Sequence, residues 1–326
     1  MAGFAARRLA RLVVSLVVLL VLSFSMIHLI PGEPVRAALG PRAPQSLVDA
    51  RRHELYLDRP APEQFTHYVS GLVTGDMGTS LVSNLPVSQV IGDRLILTVI
   101  LSTFTILFTW AVAFPIGIYS ATHQYSWGDY GLTLFGFLGI AIPNFLLALV
   151  MMYLFNVWFG LSIGGLMDAE YIDQPWSWAK AKSVLDHLWI PVLVIGAGGT
   201  AGMIRKMRAN LLDELQKQYV VTGRAKGLPP GRLLRKYPLR MALNFFISDI
   251  GSLLPNVISG AEIIAVVLSL PTTGPMLLTA LKSQDMYLAG SFLMFLALMI
   301  VVGVLISDLA LAALDPRIRL TGGVPR

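Results

Sequence analysis

A chain of 326 residues that is 55% hydrophobic and only 13% charged is too apolar for a soluble domain, in which about a quarter of residues carry charge. Its formal charge of +6 reads as the positive-inside bias of a multi-pass membrane protein and not as affinity for nucleic acid. With no cysteine and five scattered histidines, it offers no disulfide framework, no cysteine nucleophile and no ligand-spaced metal site, so no cofactor is expected.

Arg7, Arg8 and Arg11 precede an apolar run over residues 12–30. That run is about 30 Å long as a helix and exceeds the apolar core of a signal peptide. It therefore predicts a retained first transmembrane helix with its N-terminus in the cytoplasm, making residues 1–30 the first segment of the chain. It exits through Pro31-Gly32-Glu33-Pro34, and His28 reads as an interfacial side chain. Residues 31–90 contain no span-length apolar run and form an extracytoplasmic segment holding Arg51-Arg52-His53-Glu54 and Gly75-Asp76-Met77-Gly78-Thr79-Ser80. Its arginines run against the positive-inside bias, which weakens in loops approaching about 60 residues. A small solvated cap and a contact surface for a delivery protein are both compatible with it.

Residues 91–326 form a five-helix core. The second span covers residues 95–119, and an inner loop over 123–129 turns the chain into a third span over 132–159, interrupted at Pro143-Asn144. Such breaks persist in membranes where they face protein or water. Residues 160–187 are too polar to cross, and Trp176 and Trp178 suit an outer interface. The fourth span, 188–203, is short, with glycines at 196, 198, 199 and 202 that permit close helix packing. It ends in Arg205-Lys206-Met207-Arg208, which marks the cytoplasmic side.

Residues 205–243 form a cytoplasmic loop. Within it, 211–240 is the longest charged interval between two apolar segments, with Lys217, Arg224, Lys226, Arg232, Arg235, Lys236 and Arg240 against Asp213 and Glu214. Leu211, Leu212, Leu215, Tyr219 and Thr222 recur at helical spacing and predict one short amphipathic helix. Gly227-Leu228-Pro229-Pro230-Gly231 stops it, and a second basic helix follows. A loop held to anionic lipid headgroups is the competing reading. The fifth span, 245–270, carries Ser248, Asp249, Ser252, Asn256, Ser259 and Glu262. Ser252, Asn256 and Ser259 share one helix face with Glu262 at its edge, the pattern of a translocation path. Residues 271–284 contain a short apolar stretch, and the sixth span, 287–314, ends in Asp315-Pro316-Arg317-Ile318-Arg319.

Tyr219-Val220-Val221-Thr222-Gly223-Arg224-Ala225-Lys226-Gly227-Leu228 closely resembles the coupling loop of the membrane subunits of ATP-binding-cassette importers, in the dipeptide/oligopeptide permease branch. The resemblance extends to Pro-Gly-Glu-Pro after the first helix, Gly75 to Ser80, Pro86-Val87, Gly260-Ala261-Glu262, Gln284-Asp285-Met286-Tyr287 and the ending Leu314 to Arg319. Two departures stand out. Pro271-Thr272-Thr273-Gly274 replaces Pro-Gly-Leu-Gly, and Gly223 stands where alanine is usual, softening the helix by up to about 1 kcal/mol.

The resemblance implies an all-α integral membrane permease of the bacterial inner membrane, with six transmembrane helices, both termini inside and a cytoplasmic coupling helix. It implies that Tyr219, Thr222, Gly223, Arg224, Ala225, Lys226, Gly227 and Leu228 meet the ATPase subunit. The implied partners are a second homologous permease subunit, two ATP-binding subunits, an extracytoplasmic substrate-binding protein and the lipid bilayer, with a peptide as the default cargo and an oligosaccharide, opine-like compound or nickel carried by relatives. The chain has no phosphate-cradling Gly-x-x-x-x-Gly-Lys-Ser/Thr loop and no catalytic set, so it is not an enzyme. An ion-coupled secondary transporter is the alternative, for which only Asp249 and Glu262 would qualify as ion-binding groups.

Overall fold

The computed structural model describes residues 2–29, 32–160, 164–172, 174–246 and 261–314. Helices dominate, and among the described residues the only β-type pairing is an isolated antiparallel bridge between Thr79 and Pro86. In chain order the helices are α1 (Ala2–His28), α2 (Pro34–Leu39), α3 (Gln45–Glu54), α4 (Ala61–Thr74), α5 (Val87–Thr122), α6 (Trp127–Ala141) and α7 (Asn144–Phe159). They continue with α8 (Trp178–Leu215), α9 (Gln218–Ala225), α10 (Pro230–Lys236), α11 (Glu262–Val267), α12 (Thr273–Lys282) and α13 (Met286–Leu314). Residues 238–246 are also helical. The chain gathers into two units, one of residues 1–99 and 271–302, the other of residues 100–270 and 303–326.

Among the described residues, α5, α8 and the Met286–Leu305 part of α13 are long and apolar enough to cross a membrane, while Val13–Met26 and α7 are shorter apolar helices. α1 leaves Val14 64% and Met26 70% exposed while burying Leu20 and Phe24. An apolar helix face of that extent requires lipid or a protein neighbour.

In the first unit, the polar segment after α1 folds into three short helices. Pro34 opens α2, and Pro44 and Pro60 stand directly before α3 and α4, where a missing N–H leaves nothing unpaired. Of the arginines that run against the charge bias, Arg36, Arg51 and Arg52 are paired. Arg36 and Arg52 reach Glu33 at 3.0 and 2.6 Å, and Arg51 reaches Glu54 at 2.7 Å and Asn84 at 2.6 Å. Exposed pairs of this kind contribute about 0–1 kcal/mol each, so their effect is to neutralise rather than to hold. The holding is done by a buried carboxylate. Asp285, fully buried, accepts from the Ser80 hydroxyl at 2.6 Å, from the Val82 N–H at 3.3 Å and from the Leu288 N–H at 3.1 Å. It thereby caps the first turn of α13 and ties to it the loop after α4. Two motifs far apart in the sequence, Gly75 to Ser80 and Gln284 to Tyr287, meet at this one group. Tyr287 adds a hydroxyl donated to the Leu55 carbonyl at 2.7 Å.

In the second unit, the predicted interruption of the third span is present. α6 ends at Ala141 and α7 restarts at Asn144, because Pro143 can donate no hydrogen bond and pushes Ile142 out of the helical region. Pro115 and Pro191 leave α5 and α8 continuous. The fourth span differs from expectation. Residues 188–203 are the middle of a 38-residue helix, α8, that begins at Trp178 and runs on to Leu215. Its extension is polar and so carries no hydropathy signal. Ser177 caps it by accepting from the Lys180 N–H at 3.2 Å, and buried Lys180 donates to the Gln174 carbonyl at 2.6 Å. α6 and α7 lie along α8. Its glycines permit that approach, since a Cβ on Gly198 would stand 2.7 Å from the Asn144 amide. At the opposite end of α8, Met203, Ile204, Met207 and Leu211 form an apolar cluster with Ala113 and Ala121 of α5 and with Ala242 and Phe246.

The Asp285 hub yields a direct expectation. Asp285→Ala leaves the buried Ser80 hydroxyl and the Leu288 N–H without this acceptor, the Val82 N–H keeping the Ser80 oxygen at 3.3 Å, and should cost about 3 kcal/mol, while Asp285→Asn, which keeps one acceptor oxygen, should cost about half as much. Thermal unfolding of the detergent-purified protein checks this, and equal melting temperatures for Asp285→Ala and the parent would contradict it.

Candidate functional site

α8 runs only five residues into the charged interval and ends at Leu215. Gln216 closes it and Lys217, in extended conformation (φ −70°, ψ 149°), starts α9. The single amphipathic helix predicted over Leu211 to Thr222 is thus two helices, Leu211 to Leu215 belonging to α8 and Tyr219 to Thr222 to α9. What the turn buries accounts for it. Val220 becomes fully buried, and the Tyr219 ring comes to 6.3 Å from that of Tyr237. The Tyr219 hydroxyl donates to the Glu214 carboxylate across the turn. Burial first, and then this carboxylate, push the phenol well above its ordinary pKa, so it stays a donor.

The end of α9 is fixed by backbone hydrogen bonds. The Gly227 N–H donates to the Arg224 carbonyl at 2.9 Å and the Leu228 N–H to the Gly223 carbonyl at 3.2 Å, the paired pattern of a Schellman motif. Gly227 has φ +74°, where a side chain costs about 1–2 kcal/mol, although a Cβ there would meet nothing. Pro229 and Pro230 then start α10. The two helices cross at Gly223, which is buried; a Cβ on it would stand 2.4 Å from the Leu233 Cδ1, and Leu233 is itself 3% exposed. The glycine that softens α9 on propensity grounds is the residue that lets α10 pack against it. Leu234 joins the apolar cluster at the C-terminal end of α8, so the pair is seated on the bundle.

The predicted coupling residues divide by role. Thr222, Arg224, Ala225, Lys226 and Gly227 are exposed, Tyr219 and Leu228 are half-buried, and Gly223 is internal. Val221, not singled out by sequence, is 52% exposed and belongs to the outward surface; its spacing of three from Arg224 is the signal that could have found it. Arg232, Arg235, Lys236 and Arg240 are exposed too, so the knob presents cations outward. Its exposed side chains make the surface of α9 and α10 positively charged. Of the predicted translocation residues, Ser252, Asn256 and Ser259 lie outside the described residues, and Glu262 is the first residue of α11.

A polar constellation that sequence reading treated only as a topology marker lies on the same unit. Arg208 of α8 donates from Nη2 to Asp129 Oδ2 at 2.9 Å and from Nε to Asp129 Oδ1 at 3.2 Å and the Ser120 hydroxyl at 3.0 Å. Ser120 donates to Asp129, and the Tyr125 N–H donates to it at 3.0 Å. Asp129 and Ser120 are buried. Burial opposes ionisation of Asp129, but donation from Arg208, Ser120 and the Tyr125 N–H outweighs it and holds the carboxyl at about 2. Among the described residues no group of three or more His, Asp or Glu could hold a metal ion.

Two family descriptions match the chain: "Binding-protein-dependent transport system inner membrane component" over residues 113–320, and the N-terminal component of such systems over residues 1–103. The chain is 30% identical to the oligopeptide transport system permease protein AppB of Bacillus subtilis and 32% identical to the glutathione transport system permease protein GsiC of Pectobacterium atrosepticum. Each alignment spans 322 residues, covering 98% of this chain and 99% of the relative. It is 34% identical to a putative peptide permease protein of Brucella ovis over 310 residues, 94% of this chain and 95% of that one. With matches spanning both units and the seated knob lying within the larger one, the chain belongs to the inner-membrane permease components of binding-protein-dependent transport systems.

Proposed function

We propose that this permease component forms half of the translocation pathway of an ATP-binding-cassette importer, and that α9 through Leu228 is the element that docks in its ATPase subunits. The observation that carries the reading is the seated knob, whose internal Gly223–Leu233 contact fixes a surface bearing Val221, Thr222, Arg224 and Lys226. A helix held only by lipid attraction needs no such internal fit.

In this reading six helices cross the membrane with both termini inside, residues 31–90 lie outside where a binding protein delivers cargo, and 205–243 lie in the cytoplasm. A second homologous permease subunit completes the path, two ATP-binding subunits drive it, and Ser252, Asn256, Ser259 and Glu262 face it. Relatives named for oligopeptide, glutathione and peptide transport support a peptide as cargo.

Arg224 is exposed, so Arg224→Glu should change stability by no more than about 0.5 kcal/mol. It should nonetheless strip the ATP-binding subunits from the complex on purification; normal retention would contradict the docking role. Gly223→Ala should weaken retention through overpacking against Leu233 by about 1–3 kcal/mol. Adding Leu233→Ala should recover part of that loss, a coupling that independent sites would not show.

Topology has its own test. The chain has no cysteine to remove. Ser80 is fully buried and a poor probe, whereas Val73 is 82% exposed and Gln216 is exposed. A cysteine at Val73 should react with an impermeant maleimide in intact spheroplasts and one at Gln216 only after lysis; the reverse pattern would invert the proposed orientation.

A further inference from the structure

The knob must move something, and what it can move is set by which attachments to it are directional. Between the inner ends of α5 and α8, and between these and residues 238–246, the packing is the apolar cluster around Met207 and Leu211. Apolar contact is non-directional, so such a seam permits helices to slide and rotate. The Arg208–Asp129–Ser120 constellation is different in kind. It engages both oxygens of one carboxylate with one guanidinium at 2.9 and 3.2 Å, and guanidinium–carboxylate geometry of this type fixes orientation as well as distance. Its members come from three places: Ser120 at the inner end of α5, Asp129 in the first turn of α6, and Arg208 on α8 two turns before that helix ends. Thr133, one turn into α6, donates to the same carboxylate at 3.3 Å. A chain with so few charges places one of them, 2% exposed, where the inner ends of three helices converge beside its proposed docking element.

Resting on the docking role proposed above, we infer that Asp129 and Arg208 are positioning residues for energy transmission. The pair locks α5 and α6 to α8 so that displacement of α9 and α10 turns the three helices as one body. The pair touches neither cargo nor nucleotide. Without it, the knob still docks and the ATPase subunits still close, but α8 slips against α5 and α6 and hydrolysis is no longer matched by transport.

The test is carried out on the assembled transporter, with its ATPase and binding proteins, reconstituted in liposomes. The quantities measured are ATP hydrolysed per cargo molecule imported, ATPase-subunit retention and melting temperature. Asp129→Asn keeps the shape and removes the charge. It should retain the ATPase subunits but raise ATP consumed per molecule imported at least about fivefold, the low end of ordinary coupling free energies. Because Asp129→Asn strands a half-buried guanidinium and can destabilise the fold, the double variant Asp129→Asn/Arg208→Gln is measured beside it. The double variant should recover melting temperature yet keep the raised ratio. If it recovers the ratio together with stability, the pair is only structural and the inference is overturned. Loss of the ATPase subunits from a stably folded double variant would overturn it equally, since the pair would then shape the docking surface. Arg224→Glu separates the two proposals: if it keeps its ATPase subunits the docking role fails, whatever the ratio in the Asp129 variants.

Discussion

The contact on which the functional surface depends is the crossing of α9 and α10, where the missing side chain of Gly223 leaves room for Leu233 Cδ1. Everything outward of that contact follows from it. The Schellman turn at Gly227 ends α9 close beside the start of α10, and the two prolines after Leu228 begin α10 without an unpaired donor. Everything inward follows as well. With Leu233 turned toward α9, Leu234 reaches the cluster at the end of α8, and a segment rich in lysine and arginine is anchored by its few apolar residues. The cations are left exposed because the apolar residues alone are enough to hold the knob.

Outside the knob, the same economy governs both units. Helix packing in a membrane gains little from the hydrophobic effect, since lipid is as apolar as leucine, and specificity falls to close backbone approach and to hydrogen bonds. The chain uses both. Gly196 and Gly198 admit Phe108 and Asn144 against α8. Two buried carboxylates, Asp285 in one unit and Asp129 in the other, each gather donors from segments far apart in sequence. Removing a partner from such a group is expensive because an uncompensated buried charge or donor remains. That expense is also why the group specifies a single arrangement.

Much of this was legible in the sequence, and the reasons it was are physical. Apolar length marked α1, α5, α7 and α13, and Pro143 marked the break between α6 and α7, because a missing donor acts wherever it stands. The Gly-Leu-Pro-Pro-Gly run located the turn between α9 and α10. What could not be read has reasons as well. The polar ends of α8 carry no hydropathy signal, so a 38-residue helix was expected only over 188–203. The division at Lys217 has neither glycine nor proline to announce it, and it accompanies the full burial of Val220. Gly223 looked like a weakened helix because propensity is local, whereas its value lies in Leu233 ten residues on. Asp129 and Arg208 looked like topology marks because charge counting assigns sides of a membrane and is blind to pairing. The polar stripe of the fifth span, Ser252 to Ser259, lies outside the described residues and remains a proposal.

The proposed docking role requires the outward face of α9 to touch an ATP-binding subunit. A photo-crosslinking amino acid placed at Val221, 52% exposed and away from the Gly223–Leu233 contact, tests this contact in the intact complex. Irradiation should yield an adduct with the ATP-binding subunit, and its yield should change between nucleotide-free and ATP-trapped states. Adducts confined to lipid, or to the binding protein, would contradict the account.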